Sequence, residues 1–338
     1  MFKDFFILLG TFFVFDVLKF YYKYFTRPNP LPGPIPLPYI GNAFQILYTL
    51  LKAKIYQFDL GEYARLQAEK YGDISEVYLG NERVIYLSKA EYLEKVYSCN
   101  TNTKYFPRII LKGTKELNMN GLIFNNDYKS WKRIRKFVTQ TLMSPKFLRG
   151  FTVNIQKLFE ENEFRWNNDN DGEIILNLSD WTKCFTTDIT ISTSTGQKSY
   201  CLASSNLKES EWTDVMKESR KVKNSVETYL KSLAFFSAIP KFIRFYFPIF
   251  NYYQNYFMNN LTFLQNTILD RIKKRREQIE RMSEEEKVGD DLLDILLTSN
   301  TSRDPHGWKD TEEPLTDIEI RDYIVDLTIA GSDTVLIP

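Results

Sequence analysis

Two short stretches of this 338-residue chain carry residue types at spacings that could do chemistry. The first is Trp131-Lys132-Arg133-Ile134-Arg135, inside a run from Trp131 to Leu142 whose apolar residues recur three and four apart and so predict a helix. Trp131 and Arg135 then share one helix face, where an indole N–H and a planar guanidinium can point together at one anion, the guanidinium as a bidentate clamp. The second is Ala330-Gly331-Ser332-Asp333-Thr334, near the end of a helix opened by the capping box Thr316-Asp317-Ile318-Glu319. A glycine inside a helix costs ~1 kcal/mol against alanine, so Gly331 implies a helix end or a close approach by another group. Asp333 and Thr334 beside that gap pair a carboxylate with a hydroxyl, which together can pass protons from water. Each motif alone also fits a plainer reading: a buried Trp beside a surface Arg, and a glycine that stops a helix ahead of a turn.

The elements that must position these residues are mainly helical. Leu60–Lys70 reads as a short helix broken by Gly72, followed by a strand over 74–79, a turn over 80–83 and a returning strand over 84–87. Ser88-Lys89-Ala90-Glu91 is a capping box that predicts a helix start. Helical spacing returns in Trp131–Leu142, Trp181–Ile191, Leu261–Ile279 and from Leu315 onward, while Leu202–Lys208 and Asn300–Glu313 read as loops. No repeat at solenoid periods interrupts this order.

Bulk properties bound the function. Aromatic residues are 15% of the chain, enough to bury a core rather than stay disordered. Lysine plus arginine number 44 against 43 acidic residues, so there is no broad field for nucleic acid. The basic run Arg271–Arg276 is followed at once by acids, and Lys273 with Glu277 and Arg276 with Glu280 would pair at i, i+4, which predicts a solvated helix. Cys99, Cys184 and Cys201 are odd in number and lack metal-ligand spacing, which predicts reduced thiols and no metal site of their own. At the N-terminus Phe5–Phe15 is unbroken by charge, and Val17, Leu18 and Phe20 extend it past Asp16 and Lys19, which predicts a transmembrane helix with Asp16 near one interface. Aromatic and basic residues, Tyr21 to Arg27, then suit a cytosolic interface, and the six prolines between Arg27 and Gly41 predict a semi-rigid extended spacer.

Anchor, proline-rich hinge with Leu31-Pro32-Gly33-Pro34, helix and hairpin, W-x-x-x-R helix, Thr187-Asp188-Ile189 in a middle helix and the AGSDT helix come in the order and approximate spacing of a microsomal cytochrome P450. The chain resembles that family over essentially all of its residues, and matches the first two-thirds or so of a full member. The resemblance implies a mainly α fold with a small β-sheet element, preceded by a transmembrane helix. It divides the chain into a membrane anchor (1–26), a proline-rich hinge (27–41) and a partial P450 domain (42–338) ending in the oxygen-binding helix. By motif, Trp131 and Arg135 resemble the haem propionate contacts, Ala330 and Gly331 the oxygen-side groove over the porphyrin, and Asp333 and Thr334 the oxygen-activating proton relay. The implied activity is that of a haem-thiolate monooxygenase, inserting one oxygen atom into an apolar small-molecule substrate. Its implied partners are NADPH-cytochrome P450 reductase and membrane lipid, with the body on the cytosolic face of the endoplasmic reticulum as a single-pass protein.

The resemblance is incomplete at the iron. The family's thiolate lies in F-x-x-G-x-R-x-C-x-G, and around Cys201 the corresponding residues are Ser194, Gln197, Ser199 and Ala203, while Cys99 and Cys184 match no better. The only E-x-x-R, Glu62 to Arg65, falls near the start and reads as an exposed surface pair. His306, in Asp304-Pro305-His306-Gly307-Trp308, reads as a solvated loop residue rather than a substitute ligand. As written, the chain is therefore expected to be inactive, with Ile324, Leu327 and Val335 left uncovered. The alternative is a non-catalytic membrane-anchored relic that binds a lipid or a partner protein.

Overall fold

The computed structural model describes residues 2–52, 60–80, 82–97, 116–117, 119–125, 127–169, 177–205, 207–283, 285–289, 291–304 and 313–333. In chain order the elements are α1 (Phe2–Phe25), α2 (Ala43–Lys52), α3 (Leu60–Tyr71), the hairpin β1 (Ile74–Leu79) and β2 (Glu82–Leu87), and α4 (Ala90–Tyr97). There follow α5 (Tyr128–Leu142), α6 (Pro145–Asp169), α7 (Leu178–Thr195), α8 (Cys201–Ser205), α9 (Asp214–Ala238), α10 (Lys241–Tyr246), α11 (Pro248–Arg281), α12 (Leu292–Thr298) and α13 (Asp317–Asp333). The mainly helical reading with one small sheet holds. The chain divides into two compact units, Met1–Phe106 with Ser237–Pro240, and Pro107–Phe236 with Lys241–Pro338.

In the first unit α1 departs from expectation. Among the described residues no helix is long and apolar enough to cross a membrane. The reason lies in the composition of α1: Asp16, Lys19 and Lys23 interrupt its second half, so its charge-free run covers about half of the ~20 residues a span needs. That half of α1 is instead fastened to the protein, with Phe13 stacked on Tyr39, the Tyr39 hydroxyl donating to Asp16 at 3.3 Å, and Tyr24 edge-on to Tyr78. The proline-rich segment is only partly the extended spacer expected: it turns back at 38–40, where Leu37 and Gly41 exchange backbone hydrogen bonds at 2.9 Å, and it lies against β1 rather than free of it. Glu76 N donates to Pro32 O at 2.8 Å, and Asn42 and Tyr78 exchange backbone and side-chain hydrogen bonds at 2.7 Å.

The hairpin is antiparallel, pairing Ile74 with Leu87 and Val77 with Val84, and Val77 packs with Ile46 and Tyr63 in a small core. β2 begins two residues before the expected strand, because Glu82 and Arg83 continue the ladder. α4 begins at Ala90 rather than at a Ser88 cap: the Ser88 amide is engaged by Asp73 O at 2.9 Å. Glu62 and Arg65 form a surface pair on α3, shared with Glu69. The unit's buried charge is Glu76, only 1% exposed, which accepts from Arg27 and from Arg83 Nε at 2.6 Å. Two guanidinium groups offset the cost of burying one carboxylate, and removing the carboxylate would leave them facing each other.

In the second unit α13 packs against α7 and α11 around one apolar core that includes Ile134, Phe137, Leu264, Ile268, Ile320 and Ile324. The capping box that opens α13 forms as read: Thr316 N donates to Glu319 Oε2 at 2.9 Å, and Glu319 N donates to Thr316 Oγ1 at 3.3 Å. Ile324 is fully buried and Leu327 packs on the same core, so the expectation that they stand uncovered fails; Val335 lies outside the described residues. The residues from Leu202 to Ser205 are helical, not a loop, because the Asp188 carboxylate of α7 accepts from the amides of Cys201 and Leu202, both at 2.9 Å. The basic run on α11 is neutralised across the fold instead of along its own helix: Arg271 pairs with Glu218, Arg275 with the buried Asp294 and Arg276 with Asp317. His306 lies outside the described residues.

Asp291 caps α12 by accepting from Asp294 N at 2.9 Å, and burial together with the Asp294 charge pushes its pKa from 3.8 up to about 6. The folded state therefore holds this proton while the unfolded chain has lost it, so stability falls as pH rises from about 4 to 6. Asp291→Asn keeps the capping oxygen. It should flatten that slope and raise stability above pH 6 by on the order of 2 kcal/mol, measured by chemical denaturation across pH; an unchanged slope would refute the assignment. Glu76→Gln should destabilise the first unit by about 3 kcal/mol, read as faster amide exchange throughout β1 and β2.

Candidate functional site

The site is built on α5 and α13. Asp127 caps α5, accepting from the amides of Lys129 at 2.8 Å and Ser130 at 3.2 Å, and Asn125 holds the cap through Asp127 N and Ser130 Oγ. The buried face of α5, with Ile134, Phe137, Val138 and Thr141, turns the helix so that Arg135 is exposed and Trp131 is half-buried. The structure brings these two together: the Arg135 guanidinium lies over the Trp131 ring, 5.3 Å from its centroid. Between them in sequence, Arg133 ties α5 to α13, donating to Glu319 Oε1 at 2.6 Å and to the carbonyls of Glu313 and Pro314. Arg135 has no acidic partner among the described residues, so its planar fork is open to an anion.

At the other end of α13, Ala330 and Gly331 are half-exposed in a helix that is otherwise largely buried. The close approach that Gly331 implies is made by α7. A Cβ on Gly331 would lie 2.9 Å from Thr190 Oγ1, and Thr186 Oγ1 donates to Ser332 O at 2.9 Å. α7 can come this near because the side chains it brings to Gly331 and Ser332 are threonines, whose hydroxyls also bond along the helix, Thr186 to Thr182 O at 2.9 Å and Thr190 to Thr186 O at 2.7 Å. α13 ends at Asp333; the Asp333 side chain and the whole of Thr334 lie outside the described residues.

Sequence reasoning missed Asp322 and Asp326. They sit one turn apart on α13, and each accepts a backbone amide from the segment before α5: Asn120 N to Asp322 at 3.1 Å and Ile123 N to Asp326 at 2.7 Å. Gly121 is required between them, since a Cβ there would meet the Asp326 carboxylate at 2.4 Å and Asp322 O at 2.6 Å. The available signal was two acids at i, i+4 within the apolar run Tyr323-Ile324-Val325, where a solvated acid has no place.

The donor set suits part of a haem site. An open guanidinium stacked on an indole has the donors to clamp a carboxylate, and the half-exposed Ala330-Gly331 stretch offers a face with little side-chain bulk. Neither described cysteine is presented as a ligand: Cys184 and Cys201 are fully buried with Trp181 and Leu202, and Cys99 lies outside the described residues.

Comparison with known proteins agrees with this architecture. The cytochrome P450 family model matches residues 31–338, and the chain belongs to the cytochrome P450 family. A probable cytochrome P450 513F1 of Dictyostelium discoideum is 27% identical over 258 residues, 74% of this chain and 47% of that protein. Cytochrome P450 71BT1 of Catharanthus roseus is 26% identical over 330 residues, 95% of this chain and 58% of that protein. The chain thus spans about half the length of these curated relatives. A solved structure, the cyanobacterial CYP120A1 bound to retinoic acid, shares the fold with a TM-score of 0.60 at 19% identity, over 91% of this chain and 58% of that one. Haem is the cofactor the family implies.

Gly331→Ala should destabilise the second unit by about 1 kcal/mol despite alanine's better helix propensity, because overpacking outweighs it. Adding Thr190→Ala should recover most of that loss, read in a double-mutant cycle by chemical denaturation. A stabilising Gly331→Ala in the Thr190 background would refute the close-packing account.

Proposed function

We propose that this chain serves a haem-thiolate monooxygenase, contributing the propionate-holding helix and the oxygen-side wall of its haem site. The observation that carries the reading is Arg135, an exposed guanidinium stacked on Trp131 and left without an acidic partner among the described residues, while its neighbour Arg133 is consumed by Glu319. Arg135 would hold a propionate oxygen pair through its N–H fork, and Trp131 would orient that fork and shield one side of it from water. Ala330 and Gly331 would leave the porphyrin face open. The Asp333 carboxylate would take a proton from water, and the Thr334 hydroxyl would pass it toward the open end of that groove. Bound haem supplies the iron chemistry that activates dioxygen for insertion of one oxygen atom into an apolar substrate. Electrons would come from NADPH-cytochrome P450 reductase. The exposed apolar side chains of α1, among them Leu8, Phe12, Phe15 and Leu18, support a place at the cytosolic face of the endoplasmic reticulum membrane.

The test is haem retention. In protein expressed from the full coding sequence with haem precursor in excess, Arg135→Leu should lower bound haem about tenfold, equivalent to ~1.4 kcal/mol of binding free energy, while the melting transition stays in place. Unchanged haem content would remove the basis for assigning Arg135 to a propionate.

A further inference from the structure

Cys184 on α7 and Cys201 on α8 are seventeen positions apart in sequence and meet in the fold. Both are fully buried, in one cluster with Trp181 and Leu202 against which Phe185 packs, and both thiols are free. Two features set this pair apart from ordinary core cysteines.

The first is charge. Asp180, one turn before Cys184, is bound by Lys223 Nζ at 2.6 Å and Arg220 Nη1 at 3.0 Å, which places two cations of α9 beside the thiols. Arg220 also donates from Nε to Ser204 Oγ at 2.6 Å on α8 itself. The groups facing the pair are thus one carboxylate, Asp180, with its sulfur contact at 4.0 Å, a second carboxylate, Asp188, at the start of α8, and the two cations. The neighbouring Cys201 thiol, with Arg220 and Lys223, favours the thiolate at Cys184 against burial and the Asp180 charge, while the Cys184 sulfur, burial and the Asp188 charge hold the proton on Cys201. One sulfur is poised to attack and the other to resolve.

The second is cover. α8 is a single turn of five residues, held by the Asp188 carboxylate at one end and by Trp212 Nε1 on Ser204 O at 3.0 Å near the other. On its flank lies a cleft of about 120 Å3 lined in part by Asp188, Ser199, Tyr200 and Ala203. Local opening of an element this short would give a small oxidant a route to the sulfurs without unfolding the unit.

We propose that Cys184 and Cys201 form a peroxide-reactive thiol pair, a modification site distinct from the haem wall, which closes to a disulfide between α7 and α8. The Cys184 thiolate attacks one oxygen of hydrogen peroxide, breaking the O–O bond; with one proton taken up, water leaves and a sulfenic acid remains. Cys201 sulfur then displaces that hydroxyl, which takes the Cys201 proton and leaves as a second water as the S–S bond forms. Overall two thiols lose two electrons and two protons, and one peroxide becomes two waters.

The test uses the folded full chain carrying Cys99→Ser, treated with hydrogen peroxide at a few equivalents, then denatured, alkylated and digested. The expected result is a peptide linking Cys184 to Cys201, with loss of both alkylatable thiols and their return on reduction with dithiothreitol. In Cys201→Ser the resolving sulfur is gone, and Cys184 should accumulate as a sulfenic acid captured by dimedone, at least tenfold above Cys201 captured in Cys184→Ser. Two free thiols after peroxide treatment of the Cys99→Ser chain would overturn the proposal, and so would equal dimedone capture in the two variants. The linked peptide is read without either single variant, so a variant that fails to fold leaves the test decisive. Haem retention by Arg135 variants is read separately, and neither result depends on the other.

Discussion

The packing of α7 against α13 constrains much of the second unit. Two helices approach this closely only where side-chain bulk is absent from both, and here one supplies Gly331 and the other a column of threonines. Threonine in that column serves two needs. Its methyl fills the interface, and its hydroxyl is satisfied by the carbonyl one turn earlier, so a polar side chain is buried without an orphaned donor. One hydroxyl, that of Thr186, reaches across to Ser332 O, fixing the carbonyl where α13 runs out. Larger apolar residues at these positions would push α13 away and carry Ala330 and Gly331 with it.

Much of this was legible in the chain and some was not. The hairpin, the Trp131 helix and the capping box of α13 were readable because each rests on local rules: alternation, helical spacing and a reciprocal hydrogen bond within four residues. The pairing of Trp131 with Arg135 followed from the same spacing. What stayed hidden depends on contacts distant in sequence. α8 is helical because Asp188, thirteen residues earlier, caps it, and the turn-like composition of its sequence carries no trace of that carboxylate. The α11 cations were read as pairing with the nearest acids in sequence, yet they bond to α9, α12 and α13, because acids on those elements lie closer in space. The spanning helix was overread: eleven charge-free residues followed by scattered apolar ones look like a longer run when the charges are assumed to sit at an interface.

Gly331 shows how a correct inference can find an unexpected cause. The sequence argued that something must approach closely, and the group that does so among the described residues is Thr190. That approach leaves the rest of Gly331 bare, since a glycine has no side chain on any side. The tolerance that admits α7 on one flank also keeps the other flank thin. Asp322 and Asp326 add a different kind of control, for they fix the backbone of the segment ahead of α5 to the same helix that carries Gly331. The Trp131–Arg135 pair of α5 and the Ala330-Gly331 stretch are therefore referenced to one element.

That element is gripped near its start. Arg276 of α11 and Arg133 of α5 seize Asp317 and Glu319 in its first turn, with N···O separations of 2.5 and 2.6 Å. From Asp317 to Ala330 is thirteen residues, or ~20 Å of helix at ~1.5 Å per residue. α13 is thus a lever pivoted at its charged end, and a tilt of ~5° there would sweep the far end by roughly 1.7 Å over that length. Displacement of that size would matter at Gly331, where a Cβ would already lie 2.9 Å from Thr190 Oγ1, so the two arginines bear on a packing contact they never touch.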